Sequence, residues 1–244
     1  MIPLKDDEPT SSFPAVTVGL IVANVLMYFF FQHGTLSLGD PSSPEYLCNL
    51  TDFAAVPREL TDPGFDLGTC SDSVSPWLTV LTSMFMHGGL LHLGGNMLFL
   101  WIFGNNVEDA LGPVKFLLWY LAGGVAAIAL QTAIDTNSAI PTIGAWGAVA
   151  AVLGGYILLH PRARVVTLIF IVFFVTLIRI PAMLVLGFWF LQQVFFGAQG
   201  FGSGGGEGGG VAYFAHIGGF VFGLLTIRLL VRRRRPPVDR LGLT

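Results

Sequence analysis

Charge is scarce in this sequence: 12 Lys and Arg and 15 Asp and Glu among 244 residues make 11%, where soluble domains carry about 25%. With 53% hydrophobic residues and a mean hydropathy of +0.72, that scarcity excludes a water-soluble globular domain. Cysteine is nearly absent, with two residues, too few for a disulfide-stapled scaffold or a cysteine-rich zinc module. No carboxylate lies inside a long apolar run and no inverted internal repeat is visible, which removes the usual signs of an ion-coupled carrier. The amino-terminal stretch MIPLKDDEPTSSFPAV has neither a basic region directly before its first apolar run nor a small-residue cleavage site. The first apolar run is therefore expected to stay in the mature protein. The tract GSGGGEGGG follows no strand and is too irregular for a phosphate cradle, so no nucleotide or flavin site, and no cofactor, is expected.

What remains is apolar sequence in lengths suited to a bilayer, whose hydrocarbon core of ~30 Å takes about 20 mostly apolar residues per helix. Runs at 13–32, about 90–104, 116–134, 143–159, 181–197 and 211–231 predict six transmembrane helices in an all-α bundle. A short helix near Trp77 and a turn at Gly88 and Gly89 lead into the second span. The stretch 165–180, β-branched and aromatic, reads as a further span or as an interfacial segment, and the interfacial reading gives six. The glycine-rich tract 197–210 reads as a flexible connector. The expected organisation is a tail at 1–12, a membrane domain at 13–231 with an outer loop at 33–76, and a basic tail at 232–244.

Orientation follows Lys and Arg near span ends. With six spans and both termini in the cytoplasm, eleven cationic residues fall inside and Arg58 alone outside; a seventh span would move Arg232 to Arg235 across the membrane. The four arginines suit a stop-transfer anchor on anionic lipid better than nucleic-acid binding, so no nucleic acid is expected. Cys48 and Cys70 then share an exported loop, where a bridge is chemically permitted and would close 23 residues, worth about 3 kcal/mol on the loop-entropy model. Two free thiols are the alternative. The loop and the arginine tail suit a bacterial plasma membrane.

Polar side chains in an apolar setting are costly unless satisfied or functional. In HGGLLHLGGNM, His92 and Asn96 are four apart and share a helix face, with His87 approaching from across two glycines. In AHIGGFVFG, His216 is followed by Gly219 and Gly223, whose small-xxx-small spacing permits close helix approach. Gly144, Gly147, Gly154 and Gly155 of the fourth span supply a partner, so His216 is expected against the start of that span. Packing alone accounts for a single such histidine more readily than for two clusters. A zinc site of His87, His92 and His216 lacks supporting carboxylate or thiolate, and no metal is expected.

These residues resemble the rhomboid family of intramembrane serine proteases. The resemblance rests on TSMFMHGGLLHLGGNMLFLWIFGNNVEDALG at 82–112, GAWGAVAAVLGGY at 144–156, the following HPRARV, and AHIGGFVFG at 215–223, in order, over about 80–230. It implies a six-helix core in which a serine heading the fourth helix attacks a peptide bond and a sixth-helix histidine acts as base. By position His216 matches the base, His92 and Asn96 match the oxyanion donors, and His87 is a possible further polar contact. Leu78 after Trp77 departs from the Trp-Arg pair that many relatives carry.

The nucleophile does not carry over. Where the family's GxSG has serine, GAWG has Trp146, whose indole offers one N–H and no nucleophilic atom. Thr142 and Ser138 precede it in a loop and Tyr156 lies nearly three turns beyond. Three readings stay open: a pseudoprotease that binds transmembrane segments of other membrane proteins within the bilayer, an intramembrane serine endopeptidase with weak or altered activity, and a transporter or channel. If His216, His92 and Asn96 only support packing, His216→Ala costs stability and leaves function unaffected.

Overall fold

Long apolar stretches with no ionisable group gain most by satisfying their backbone within a helix. The computed structural model, which describes residues 2–32, 44–67, 74–171, 174–202 and 211–231, is accordingly mostly helical. Helix α1 spans Ala15–Leu26 and continues as a π-turn at Met27–Phe31. The region expected as an outer loop carries α2 (Pro44–Phe53) and α3 (Pro57–Thr61). Next, α4 (Pro76–Thr82) ends in a 3-10 turn at Ser83–Phe85, and α5 (Leu90–Phe99) runs through a π-turn at Leu100–Gly104 into α6 (Asn105–Leu111). Among the described residues three helices are long and apolar enough to cross a membrane: Pro113–Ile134 (α7), Ala182–Gln199 within α9 (Ala182–Gly202), and Tyr213–Leu230 (α10). The apolar helices Ala15–Phe31 and Trp146–Leu159 (α8) are shorter. Cys70, the tail 232–244 and the connector residues 203–210 lie outside the described residues, as does part of the loop 33–76. The earlier part of the expected connector, up to Gly202, is the last turn and a half of α9.

The bundle is built around α8. Nine consecutive residues, Ala148 to Tyr156, are buried, the mark of a helix with protein on every side. Its neighbours come within backbone distance because both faces are glycine. A Cβ on Gly219 would collide with the Gly147 carbonyl oxygen, one on Gly223 with that of Ala151, and one on Gly154 with that of Phe220. Helix α7 completes the core, with Trp119 donating from Nε1 to Thr226 Oγ1 of α10 at 2.8 Å. Outward-facing leucines such as Leu191, Leu225 and Leu229 are 66%, 71% and 80% exposed, a surface suited to lipid rather than water.

The all-α expectation needs a correction. Two strands, β2 (Arg164–Ile171) and β3 (Phe174–Pro181), pair antiparallel as a hairpin, and Ile2–Asp6 (β1) adds to β2 with Ile2 opposite Leu168 and Asp6 opposite Val165. The order is β1-β2-β3. A run of valine, isoleucine and threonine favours strand, and Pro181 ends the hairpin where α9 begins.

Carboxylates fasten the amino-terminal segment. Asp6 is buried and its Oδ2 accepts from Tyr156 Oη and Asn106 Nδ2, both at 2.6 Å. Asp7 Oδ1 accepts the Arg164 N–H at 2.6 Å, and Glu8 lies 3.5 Å from His160. Glu108, also buried, reaches back to α1: its carboxylate accepts from Val16 N (3.0 Å), Thr17 N (2.7 Å) and Thr17 Oγ1 (2.7 Å). It thereby satisfies amides that the first turn of a helix leaves unpaired and places negative charge at the positive end of the helix dipole.

Burial pushes the Asp6 carboxyl above its ordinary range, with the Tyr156 hydrogen bond pulling the other way. A raised folded-state value means that folding favours the protonated acid. The contribution is therefore most favourable below the unfolded value of 3.8 and is lost as pH rises through the raised one. Asp6→Asn keeps an oxygen for both donors and removes the buried charge. Its unfolding midpoint in detergent should exceed the native one at neutral pH, with the gap closing on acidification. Asp6→Ala should instead lose about 1–3 kcal/mol for each donor left unpaired. An Asp6→Asn midpoint below native at neutral pH contradicts this account.

Candidate functional site

The polar residues singled out in the sequence converge on the head of α8. The approach to that helix is fixed by Gly144, whose φ of +112° belongs to the left-handed region that favours glycine, and whose N–H donates to Ser83 O at 2.9 Å. A Cβ there would sit 2.7 Å from both Cε1 and Nε2 of His92 and 3.9 Å from Asn96 Nδ2. Gly144 thus lies outside the α8–α10 seam that Gly147, Gly219 and Gly223 make. Its bare backbone admits the α5 side chains instead.

The tautomer of His92 follows from its partner. The Gly88 N–H donates to His92 Nδ1 at 3.2 Å, so a neutral ring carries its proton on Nε2, the atom that faces Gly144. Asn96 is fully buried; its Nδ2 donates to the His92 carbonyl at 2.9 Å, while Oδ1 has no partner among the described residues. His87 packs edge-on to His92, with ring centroids 5.2 Å apart. Its backbone is clamped by Gln32, which accepts from His87 N at 2.8 Å and donates to His87 O at 3.3 Å. His87, His92 and Asn96 therefore form one cluster with at least one N–H aimed at the head of α8.

His216 stands on the other side. Gln193 of α9 donates from Nε2 to the Trp189 carbonyl at 3.3 Å, which turns its Oε1 to His216 Nδ1 at 2.8 Å. An acceptor at Nδ1 places the ring proton there and leaves the Nε2 lone pair free. That is the tautomer a general base attacking through Nε2 requires.

Between the two clusters lies Trp146. Its ring centroid is 5.6 Å from His216, 5.7 Å from Trp189 with planes 16° apart, and 5.3 Å from Phe99. On the α5 side, a Cβ on Gly95 would stand 3.4 Å from Trp146 Cζ2. The indole spans from α5 to α9 and α10 across the head of α8. Beside it a cavity of about 20 Å³ is lined by Thr142, Gly144, Trp146 and His216 among others. Tyr156 is committed elsewhere, to Asp6, and Ser138 Oγ accepts from Ile140 N at 3.3 Å in its own turn. Cys48, on α2, is disulfide-bonded.

The sequence reading missed Gln193, Gln32 and Trp189. Two adjacent amides in the apolar run FLQQVFF were the available signal for the first, since an amide in a spanning helix needs a partner. Nothing local names that partner as His216.

The family model described as Rhomboid domain matches residues 75–233. Among individual proteins the chain is similar to Rhomboid protein 1, mitochondrial, of Saccharomyces cerevisiae, 31% identical over 160 residues that cover 63% of this chain and 42% of that protein. It is similar to Rhomboid protease GluP of Bacillus subtilis, 31% identical over 151 residues, 61% of this chain and 26% of that protein. It is also similar to Presenilin-associated rhomboid-like protein, mitochondrial, of Mus musculus, 28% identical over 173 residues, 65% of this chain and 41% of that protein. The chain thus spans less than half the length of these curated relatives.

Replacing Gln193 by Leu strands a buried ring N–H, at about 1–3 kcal/mol of stability, and frees the imidazole to exchange tautomers. Nitrogen-15 shifts of His216 should report a single Nδ1–H form in the native chain and a tautomer mixture in Gln193→Leu. A native mixture would contradict the assignment.

Proposed function

Because the chain belongs to the rhomboid family, we propose that it is a pseudoprotease of that family, one that keeps the base and oxyanion positions, lacks the nucleophile, and binds transmembrane segments of other membrane proteins without cutting them. The observation that carries the reading is Trp146. Its indole lies over the head of α8 against His216 and Trp189, where a scissile carbonyl and an attacking oxygen would have to meet, and it offers no atom that can form an acyl intermediate.

On this reading His92 and Asn96 stand at the oxyanion positions with His87 as their polar support, His216 stands at the base position, and Gly147, Gly219 and Gly223 hold base and empty nucleophile position together. The finer organisation follows: six spanning helices at 15–31, 90–111, 113–134, 146–159, 182–202 and 213–230, within a membrane domain at 13–231. Both termini lie in the cytoplasm of a bacterial plasma membrane, with the loop 33–76 and its Cys48–Cys70 pair outside. The hairpin at 164–181 supports that count, since two eight-residue strands are not a seventh spanning helix.

A second reading has one observation in its favour. Thr142 lines the same small cavity as His216, so a displaced hydroxyl has a place from which to act. Cleavage of a generic single-span substrate by purified protein in detergent separates the two, comparing the native chain, Trp146→Ser, and Trp146→Ser with His216→Ala. The pseudoprotease reading expects no cleavage by the native chain, cleavage by Trp146→Ser, and its loss in the double variant by at least about a thousandfold. Native cleavage that depends on His216 and disappears in Thr142→Val would establish the second reading and end the first.

A further inference from the structure

Beyond the head of α8 the same side chains open into a cavity of about 270 Å³ between α8, α9 and α10, lined by Trp146, Trp189, Gln192, Phe196, Tyr213 and His216 with two further residues. The rings make two walls. Trp189 lies 16° from parallel with Trp146 and 29° from parallel with His216, while Trp146 and His216 are tilted by 45° to each other, so Trp189 is the middle ring of the first wall. Tyr213 stands at 80° to His216, and Phe196 lies within 31° of Tyr213, so these two form a second wall near a right angle to the first. Among the described residues no Asp, Glu, Lys or Arg lines the space.

We propose that this corner is a binding site for a trimethylammonium group. Aromatic faces carry negative potential, and several of them meeting at a corner attract a cation through the ring quadrupoles. The chemistry of the lining selects which cation. A primary ammonium brings three N–H donors that need acceptors and is strongly hydrated. A guanidinium brings five. Here both polar atoms of the Gln193 amide are already engaged, which leaves Gln192, the Tyr213 hydroxyl and one nitrogen of His216 as the side-chain acceptors of the lining, none of them charged. A quaternary ammonium has no N–H to satisfy. The volume lies below the ~300–1,000 Å³ of pockets for drug-sized ligands, which suits a small headgroup and leaves no room for a helix about 10 Å across. The inference deepens the preceding reading and rests on it in one respect: Trp146, standing where the nucleophile would be, completes the first wall.

The test uses the full chain in nanodiscs of phosphatidylethanolamine and phosphatidylglycerol, which bring no choline. Choline and its neutral isostere 3,3-dimethylbutan-1-ol are titrated in turn and followed by tryptophan fluorescence and calorimetry. Choline should bind saturably and at least tenfold more tightly than the isostere. Trp189→Leu and Tyr213→Leu should each weaken choline at least tenfold, Trp189→Phe should retain most of the binding, and Trp146→Ser should weaken it. The two leucine variants stand on different helices, so one failing to fold leaves the other decisive. Equal binding of choline and isostere would overturn the proposal in favour of a merely apolar hole, and absence of saturable choline binding would overturn it outright. A further arm replaces part of the lipid by phosphatidylcholine. A rightward shift of the choline curve identifies the lipid headgroup as the source, and an unchanged curve identifies a soluble quaternary amine. No peptide substrate enters the titration, so cleavage by the native chain would end the pseudoprotease reading and leave this result to stand or fall alone.

Discussion

The closeness of α8 to α10 governs nearly everything else in the molecule. At Gly147 against Gly219, Ala151 against Gly223 and Gly154 against Phe220, a glycine on one helix meets a backbone carbonyl on the other. Lipid gives apolar side chains no reason to leave it, so helix association in a membrane relies on packing of this kind. The seam fixes the rotation of both helices, and that rotation carries Trp146 and His216 to the same end and the same side. A single methyl group at Gly219 or Gly223 would collide with the facing backbone carbonyl and force the two helices apart. The polar chemistry at the head of α8 is thus a consequence of what the seam lacks, which is side chains.

Around this seam, the molecule divides its polar groups between two purposes. At one end they hold elements distant in sequence: Glu108 binds the start of α1, and Asp6 binds Tyr156 and Asn106. There almost every donor and acceptor has a named partner. At the other end the buried Asn96 oxygen accepts no hydrogen bond among the described residues. Buried capacity of that sort is costly to maintain for stability alone. On the proposed reading it is held for an occupant that enters from outside the fold. The indole of Trp146 reduces the room for such an occupant without using up that oxygen.

The helices were legible because an apolar run of spanning length has few alternatives in lipid, and the glycine spacing made the close approach of α8 and α10 foreseeable. The hairpin was harder to read, because a short apolar run without charges fits a buried strand and a buried helix alike by periodicity. The β-branched residues from Val165 to Ile180 were the local hint. The decisive partner was β1, more than 150 residues away in the chain and invisible to any local pattern. Separation along the chain also hid Gln193, 23 residues before His216, and Glu108, 91 residues after Thr17. In each case the sequence displayed a polar residue in an unfavourable setting and left its partner unnamed. Gly144 was misassigned for a related reason: a positive φ and a close-packed helix face both demand glycine, and only coordinates tell them apart.

The pairing of Ile2–Asp6 with Val165–Leu168 also imposes a schedule on the protein's birth. At ribosomal rates of about 5–20 residues per second, the first strand leaves the ribosome on the order of ten seconds before the strand it will pair with. During that interval Glu108 arrives and can close onto α1, while Asp6 remains in water with its charge solvated. Docking of β1 is therefore a late event that waits for α8 to be in place, since Tyr156 and the strand after it form the berth. The segment Ile2–Asp6, made well before its berth, is among the last to find its position, and it reports that the centre of the bundle is already built.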